Sequence, residues 1–472
     1  MELSARPSVS IRYFGKVVKS IILFVVLCGG TFFAVLYKYY VTRGEYSMVQ
    51  AFKAYARHVL DTTKSAVSWF LFSILCGALI GTVSAAFAKL IALATGFRMA
   101  HGEIIYFLPL AGLLIIFIYH KANVVTSRGT NLVIHSIRHD EPIPFRMAPL
   151  IFVSTVITHL FGGSSGREGA ALQIGGSLGN FLGEKLKMTS AESARRRSIM
   201  VGMSASFSAL FGTPLAATIL PLEISTVGIV YYSSFMPCAI ASLIAHYIAG
   251  LFGLKSEAVS LDLPAFDLRL FAFITILAAL SGIVSVLFCV SMHRANQYMP
   301  KLIKNPYVRV FAGGAVIVLL TFLVGNQTYN GTGSDIIAAC ISGNVMEGSL
   351  PGYAFLLKIL FTAITLSVGY KGGELVPTMF IGATLGHAFG VLTGIDPMLA
   401  SCIGLGCCFC AVLNLPMTAL LLCFEMFGFK AMPYFLYALA ISYIFSGNYG
   451  LYKDQLIRYD KYGTGLIDKF TH

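Results

Sequence analysis

Charge is the scarcest property of this chain. Only 12% of its 472 residues are Asp, Glu, Lys or Arg, against 57% hydrophobic ones and a mean hydropathy of +0.78, which excludes a domain whose surface must stay in water. Acid is scarcer than base: 21 carboxylates face 34 lysines and arginines, and the net charge of +13 is assigned to orientation in a bilayer and to anionic membrane lipid, with no nucleic acid expected. The densest basic cluster, Lys185, Lys187, Arg195, Arg196 and Arg197, is predicted to face the cytoplasm. A disulfide or zinc framework is missing as well, because C-C-x-C at Cys407, Cys408 and Cys410 has no second paired cluster. The ten cysteines read as small buried hydrophobes, and no metal and no cofactor is expected. The N-terminus carries Arg6, Arg12, Lys16 and Lys19 before an apolar stretch but lacks an A-x-A-like cleavage site, so it reads as an uncleaved helix.

Long spans are few too. Apolar runs such as Met147 to Leu160, Ile199 to Phe211 and Tyr353 to Val368 fall short of the roughly 20 residues a full crossing needs. Glycine and proline break the pattern at Gly162 to Gly169 and at Gly369 to Pro377, which implies half-helices whose irregular backbone lines a cavity or is buried in protein. The expected fold is an all-α polytopic membrane protein of about seventeen or eighteen full and partial helices. Its expected parts are a basic N-terminal segment with an extra apolar helix at 1–65, a first membrane repeat at 66–255 and a second at 256–472.

The division rests on a pattern written twice. Gly202, Phe207, Ala209 and Pro214 recur as Gly404, Phe409, Ala411 and Pro416, each 202 residues later, and Gly129-Thr130 recurs at the same offset as Gly331-Thr332. Glu223 and Glu425 each follow their proline by nine residues. Gly166-Arg167-Glu168-Gly169 leads into Ile174-Gly175-Gly176-Ser177-Leu178-Gly179, and Gly372-Gly373-Glu374-Leu375-Val376-Pro377 leads into Ile381-Gly382-Ala383-Thr384-Leu385-Gly386. Both halves thus set a glutamate in a glycine turn just ahead of a helix.

A helix that begins in mid-membrane aims unpaired N–H groups and about half a unit of positive charge at whatever lies before it. An anion is its natural ligand. Glycines let the backbone approach closely, and Pro377 fits a first helical turn where its missing N–H costs nothing. Such a site strips water from an anion without a full positive charge that would hold it too tightly to leave. Glu168 competes for the anion's seat and is a candidate gate. An ionised carboxylate in the membrane costs about 2.5 to 3.5 kcal/mol, so Glu168 is also a candidate proton carrier. The plainer alternatives are a structural Glu168 neutralised by Arg167, and Glu223 and Glu425 as acceptors for a neighbouring loop.

Gly166 to Ala170, G-R-E-G-A, resembles the G-R-E-G-P signature of the CLC chloride channels and proton-coupled anion exchangers, and the duplicated halves resemble that family's inverted repeats. The stretch Thr158 to Gly169, G-T-N-L-V from Gly129 to Val133, and K-G-G-E-L-V-P from Lys371 to Pro377 are most similar to its fluoride/proton antiporter branch; chloride-type members usually carry G-S-G-I-P and a phenylalanine there. The resemblance implies an anion path lined by Gly129, Thr130, Asn131, Gly166, Arg167, Gly169, Leu375, Val376 and Tyr452, with Glu168 as outer gate and Glu374 as inner carboxylate for proton coupling. It implies a homodimer in a bacterial inner membrane, transporting fluoride or another small halide against protons. A threonine stands at Thr130 where the fluoride branch more often has asparagine or methionine, and its hydroxyl can donate to either halide. Ile224 occupies the place of the inner proton glutamate of chloride exchangers, which disfavours that route. With some twenty residues after Tyr452, no cytoplasmic regulatory domain is expected.

Two other classes compete with this reading. An intramembrane serine protease would use Ser164 or Ser165 with His246, and a cation channel would form a ring from Glu168, Glu374 and Asp335. The first leaves the duplication unexplained, and helix N-termini repel the second's ion. His159 and His387 read as packed core histidines, with His159 the one to test first.

Overall fold

The computed structural model of the chain describes residues 48–124, 129–188, 193–254, 258–259, 261, 267–346, 348–463 and 465–471. The apolar stretch near residues 20–37 and the basic residues before it lie outside the described residues. The chain divides into two compact units, Met1–Trp69 and Phe70–His472.

Sixteen α-helices are present among the described residues. They are α1 Met48–Ala100, α2 Leu108–Lys121, α3 Asn131–His139, α4 Met147–Leu160, α5 Glu168–Lys185, α6 Ala194–Phe211, α7 Pro214–Glu223 and α8 Phe235–Leu251, then α9 Leu268–Leu302, α10 Pro306–Val324, α11 Ser334–Ile341, α12 Ala354–Val368, α13 Leu375–Thr393, α14 Pro397–Leu413, α15 Pro416–Phe427 and α16 Met432–Phe445. Among the described residues six helical stretches are long and apolar enough to cross a membrane, while α4, α7, α12, α14 and α15 are apolar but shorter. The expected mixture of full and partial spans is what the backbone shows.

The two inverted halves run in parallel lists: α4 through α7 against α12 through α15. In each, a glycine turn separates the first pair of helices, at Gly162 (φ +88°) and Gly369 (φ +127°), backbone angles that a side chain would strain. In each, the third helix ends in a left-handed residue, Gly212 or Asn414, and the fourth starts at a proline two residues on. The repeated glycines explain themselves at the α5–α6 and α13–α14 crossings. A methyl group on Gly202 would sit on the Gly175 carbonyl oxygen, and one on Gly404 on that of Gly382, so the backbones touch as small-residue membrane crossings do. These four helices are the buried centre. The peripheral α10 instead turns Leu319, Phe322 and Leu323 outward, where lipid is the natural solvent.

The repeated carboxylates close the pseudo-symmetry. Glu223 at the end of α7 accepts from the Met417 and Thr418 backbone N–H groups (3.2 and 3.0 Å) and the Thr418 hydroxyl (2.7 Å) at the start of α15. Glu425 on α15 accepts from the Leu215 and Ala216 N–H groups (2.8 and 2.9 Å) at the start of α7. Each half supplies the anion that satisfies the other's helix dipole. Glu223 and Glu425 are therefore the acceptors for a neighbouring segment that the plainer reading allowed.

One element was not expected. A three-stranded sheet joins β1 (Thr226–Val227), β2 (Leu456–Tyr459) and β3 (Leu466–Phe470), with β1 parallel to β2 and β2 antiparallel to β3. Buried Gln455 donates to the carbonyls of Ile224 (3.0 Å) and Leu413 (2.9 Å), fastening the chain's last segment to both halves.

Candidate functional site

The two glycine turns meet. Gly166 N–H donates to the Gly373 carbonyl and Gly373 N–H to that of Gly166, both at 2.6 Å. A Cβ on Gly373 would strike the Gly169 nitrogen, and one on Gly166 would crowd the Gly373 oxygen at 3.2 Å. The starts of α5 and α13 are thereby brought to one point, as broken helices aimed at a shared ligand require.

A cavity lies on each side of that contact. The smaller, about 70 Å³, is lined by Arg167, Glu168, Thr332, Ser334 and Val376 among others. The larger, about 290 Å³, is lined by Gly129, Asn131, Gln173, Lys371 and Glu374, with Lys453 and His293 at its edge. Each cavity has one glutamate. Next to the larger one, the Asp454 carbonyl accepts from Arg138 (2.9 Å), and the neighbouring Asp140 accepts from Arg195 and Arg196, so this cavity is on the side of the basic cluster. Along α5, 17 residue steps and hence about 25 Å of helix lead from Glu168 to Lys185 on that side.

Glu168 is only 3% exposed. Its Oε2 accepts from the Arg167 backbone N–H (3.0 Å) and its Oε1 from the Arg167 Nε (3.1 Å). The carboxylate thus lies over the first turn of its own helix, with the Arg167 Nε turned to it. Glu374 differs: its Oε2 is buried and makes no well-aligned hydrogen bond among the described residues, with the Thr130 hydroxyl in reach. That oxygen lies 3.2 Å, and the Thr130 hydroxyl 3.1 Å, from the point where a Gly169 side chain would begin. Gly169 is what keeps this space open.

Thr130 is 1% exposed; its Oγ1 makes long contacts, 3.5 Å to the Gly169 carbonyl and 3.4 Å from the Gln173 amide, and is also in reach of the Glu374 carboxylate and the Tyr452 hydroxyl. Tyr452 faces Glu374 and Thr130 with a buried hydroxyl whose reach to Thr130 is not a well-aligned hydrogen bond among the described residues. Its carbonyl is held by the Thr471 hydroxyl (2.6 Å) and the Gln455 N–H (2.9 Å). Three oxygens therefore gather between the cavities with the Thr130 hydroxyl in reach of the other two, an arrangement that a small ligand or a shared proton would complete.

The remaining expected residues divide. Gly129, with φ +60°, and Asn131 line the larger cavity, but the Asn131 Oδ1 accepts from the Asp454 N–H (3.2 Å) and so braces the Tyr452 loop. Leu375 and Val376 are buried in the first turn of α13, with Val376 on the smaller cavity. Gln173 was missed: it sits one turn beyond Gly169 on α5, and its Nε2 donates to the Gly169 carbonyl (3.1 Å). A polar residue in the run Ala170 to Gly176 was the only signal in the sequence. Lys371, Lys453 and His293 were also not singled out as lining residues. His159 is buried with its Nδ1 on the Thr155 carbonyl (2.8 Å) in its own helix, and His246 is exposed on α8. Ser164 bonds the Thr362 and Thr365 hydroxyls, not a histidine, which leaves the protease reading without its base.

A duplicated bundle of broken membrane helices that aims two amino ends and two carboxylates at one point defines an ion-translocating membrane protein. The family model described as "Voltage gated chloride channel" matches residues 111–447. A chloride/fluoride channel protein of Pseudomonas syringae pv. tomato is 31% identical over 415 residues, 87% of this chain and 91% of that one. An H(+)/Cl(-) exchange transporter of Vibrio cholerae is 27% identical over 55% of this chain and 58% of its own. Among solved structures, a CLC-type fluoride/proton antiporter superposes with a TM-score of 0.79 at 30% identity, over 83% of this chain and 98% of that one. The chain belongs to the CLC family and is a multi-pass integral membrane protein for anion transport.

Proposed function

We propose that this protein is a proton-coupled fluoride antiporter that exports the anion across a bacterial inner membrane, as a homodimer set in lipid with one path per subunit. The observation that carries the reading is Glu374, placed at the start of α13 with a buried carboxylate beside Thr130 and Tyr452 and no ion-pair partner among the described residues. A second acid at the meeting point gives a proton somewhere to go that a chloride-type sequence, with phenylalanine there, lacks. The 30% identity to the structure described as a fluoride/proton antiporter supports the same choice.

Glu168 is the outer gate: ionised, it fills the seat at the start of α5; protonated, it loses its hold on Arg167 and yields the seat to an anion arriving past Thr130. Glu374 takes the proton or steers the ion from the larger, cytoplasmic cavity. Gly129, Thr130, Gly166, Gly169, Leu375, Val376 and Tyr452 shape the path, and Asn131 and Arg167 act through the groups they hold.

Parallel efflux of fluoride, chloride and nitrate from liposomes, read with anion and pH electrodes together, tests the assignment. Fluoride should move fastest and drive protons the opposite way. Chloride efflux equal to fluoride efflux, or fluoride movement with no proton signal, points to a channel or a chloride exchanger and overturns it.

A further inference from the structure

Two cations are buried behind the smaller cavity, and the anion path just described does not use them. Lys358 on α12 is 0% exposed, and its Nζ donates to the carbonyls of Tyr329 (3.2 Å) and Gly331 (2.9 Å) and lies 5.0 Å from the centre of the Phe380 ring. Arg98 on α1 is 3% exposed, its Nε and Nη1 have no hydrogen-bond partner among the described residues, and its guanidinium lies against the same turn: a Cβ on Gly331 would meet Nη1 at 2.9 Å. Neither is in an ion pair among the described residues. Asp335, the acid within electrostatic range of Arg98, is exposed on α11.

Intramembrane charge without a counter-ion is expensive and is kept where it does something. The turn these cations grip is the repeat of Gly129-Thr130. Its Gly331 N–H donates to the Gly163 carbonyl (3.1 Å), its Asn330 amide to that of Gly162 (2.8 Å), and Thr332 lines the cavity beside Glu168. The matching helix of the first half, α4, carries neither lysine nor arginine. Positive charge is therefore built behind the smaller cavity as well as at the wall of the larger one, where Lys371 and Lys453 stand.

We propose that Lys358 and Arg98 form an electrostatic latch: they hold the Tyr329 to Thr332 turn and supply the field that draws a small anion into the cavity occupied by Glu168. Lys358 is a positioning and affinity residue, acting through the turn and the field. The inference rests on the reading of that cavity as part of the anion path.

The test is zero-trans fluoride uptake by the full-length protein in liposomes, with KM and turnover resolved, for Lys358→Met, Lys358→Arg, Arg98→Gln and Asp335→Asn. Loss of either cation should raise KM about tenfold, the lower range of focusing by buried charge. Lys358→Arg should restore it to near wild type. Asp335→Asn, on an exposed helix face, should lower KM about twofold by removing the opposing charge. Variants that lose turnover at unchanged KM, with Asp335→Asn also unchanged, overturn the latch and leave a structural role. Should Lys358→Met not survive purification, Arg98→Gln and Asp335→Asn decide between the same two outcomes. Wild-type protein that moves no anion at all refutes the transport reading and not the latch alone.

Discussion

The two Gly-Thr turns of this protein have the same sequence and the same backbone yet opposite surroundings. Gly129 and Gly331 both have φ +60°, but a side chain on Gly129 would meet nothing within 4 Å among the described residues, whereas one on Gly331 would strike Arg98. The turn on the basic side is open to a cavity of about 290 Å³ with lysines at its wall; the turn on the far side is gripped by two buried cations beside a cavity of about 70 Å³. Duplication supplied one scaffold twice, and the difference lies in the side chains that back each turn. A path with an open mouth and a held mouth has a direction, which an exactly symmetric pair of halves lacks.

The comparison breaks first if the halves are not built alike. Gly202→Val and Gly404→Val each force a side chain into a facing backbone, so both should cost more than about 3 kcal/mol and leave little monodisperse protein on size exclusion. One tolerated valine beside one lethal one would mean the crossings are not equivalent. Next come the exchanged carboxylates. Glu223→Ala and Glu425→Ala should each lower stability by about 1–3 kcal/mol, with Glu223 the more costly because it also holds the Thr418 hydroxyl. Thermal unfolding in detergent ranks them, and a greater loss at Glu425 contradicts the geometry. The smallest effect sharpens the contrast of the turns. Gly129→Ala should cost about 1–2 kcal/mol from its left-handed backbone alone, and Gly331→Ala more, since the guanidinium must also move. Equal melting points for the two would show that the latch exerts no force on its turn.

Much of this was legible in the chain because the signals are local. Breaker glycines at Gly162 to Gly169 and Gly369 to Gly373 mark the interrupted helices, the offset of 202 marks the halves, and Glu168 and Glu374 stand at helix starts where they can be read from their neighbours. What escaped is defined by distance along the chain. The sheet pairs Thr226 with Leu456, and two isolated residues of a strand carry no periodicity to detect. Lys358 is one cation in an apolar run and Arg98 sits near the end of a long helix; only the folded turn at Gly331 brings them together. Asn131 matches a binding motif, but its side chain is taken by the Asp454 N–H, a contact between residues 323 positions apart.

The account depends most on the acid at the start of α5. Proteoliposomes of Glu168→Gln, loaded with fluoride and followed with fluoride and pH electrodes, test it directly. Fluoride should still leak down its gradient while proton movement falls to the level of empty liposomes. Protons driven uphill by the fluoride gradient in that variant would contradict it.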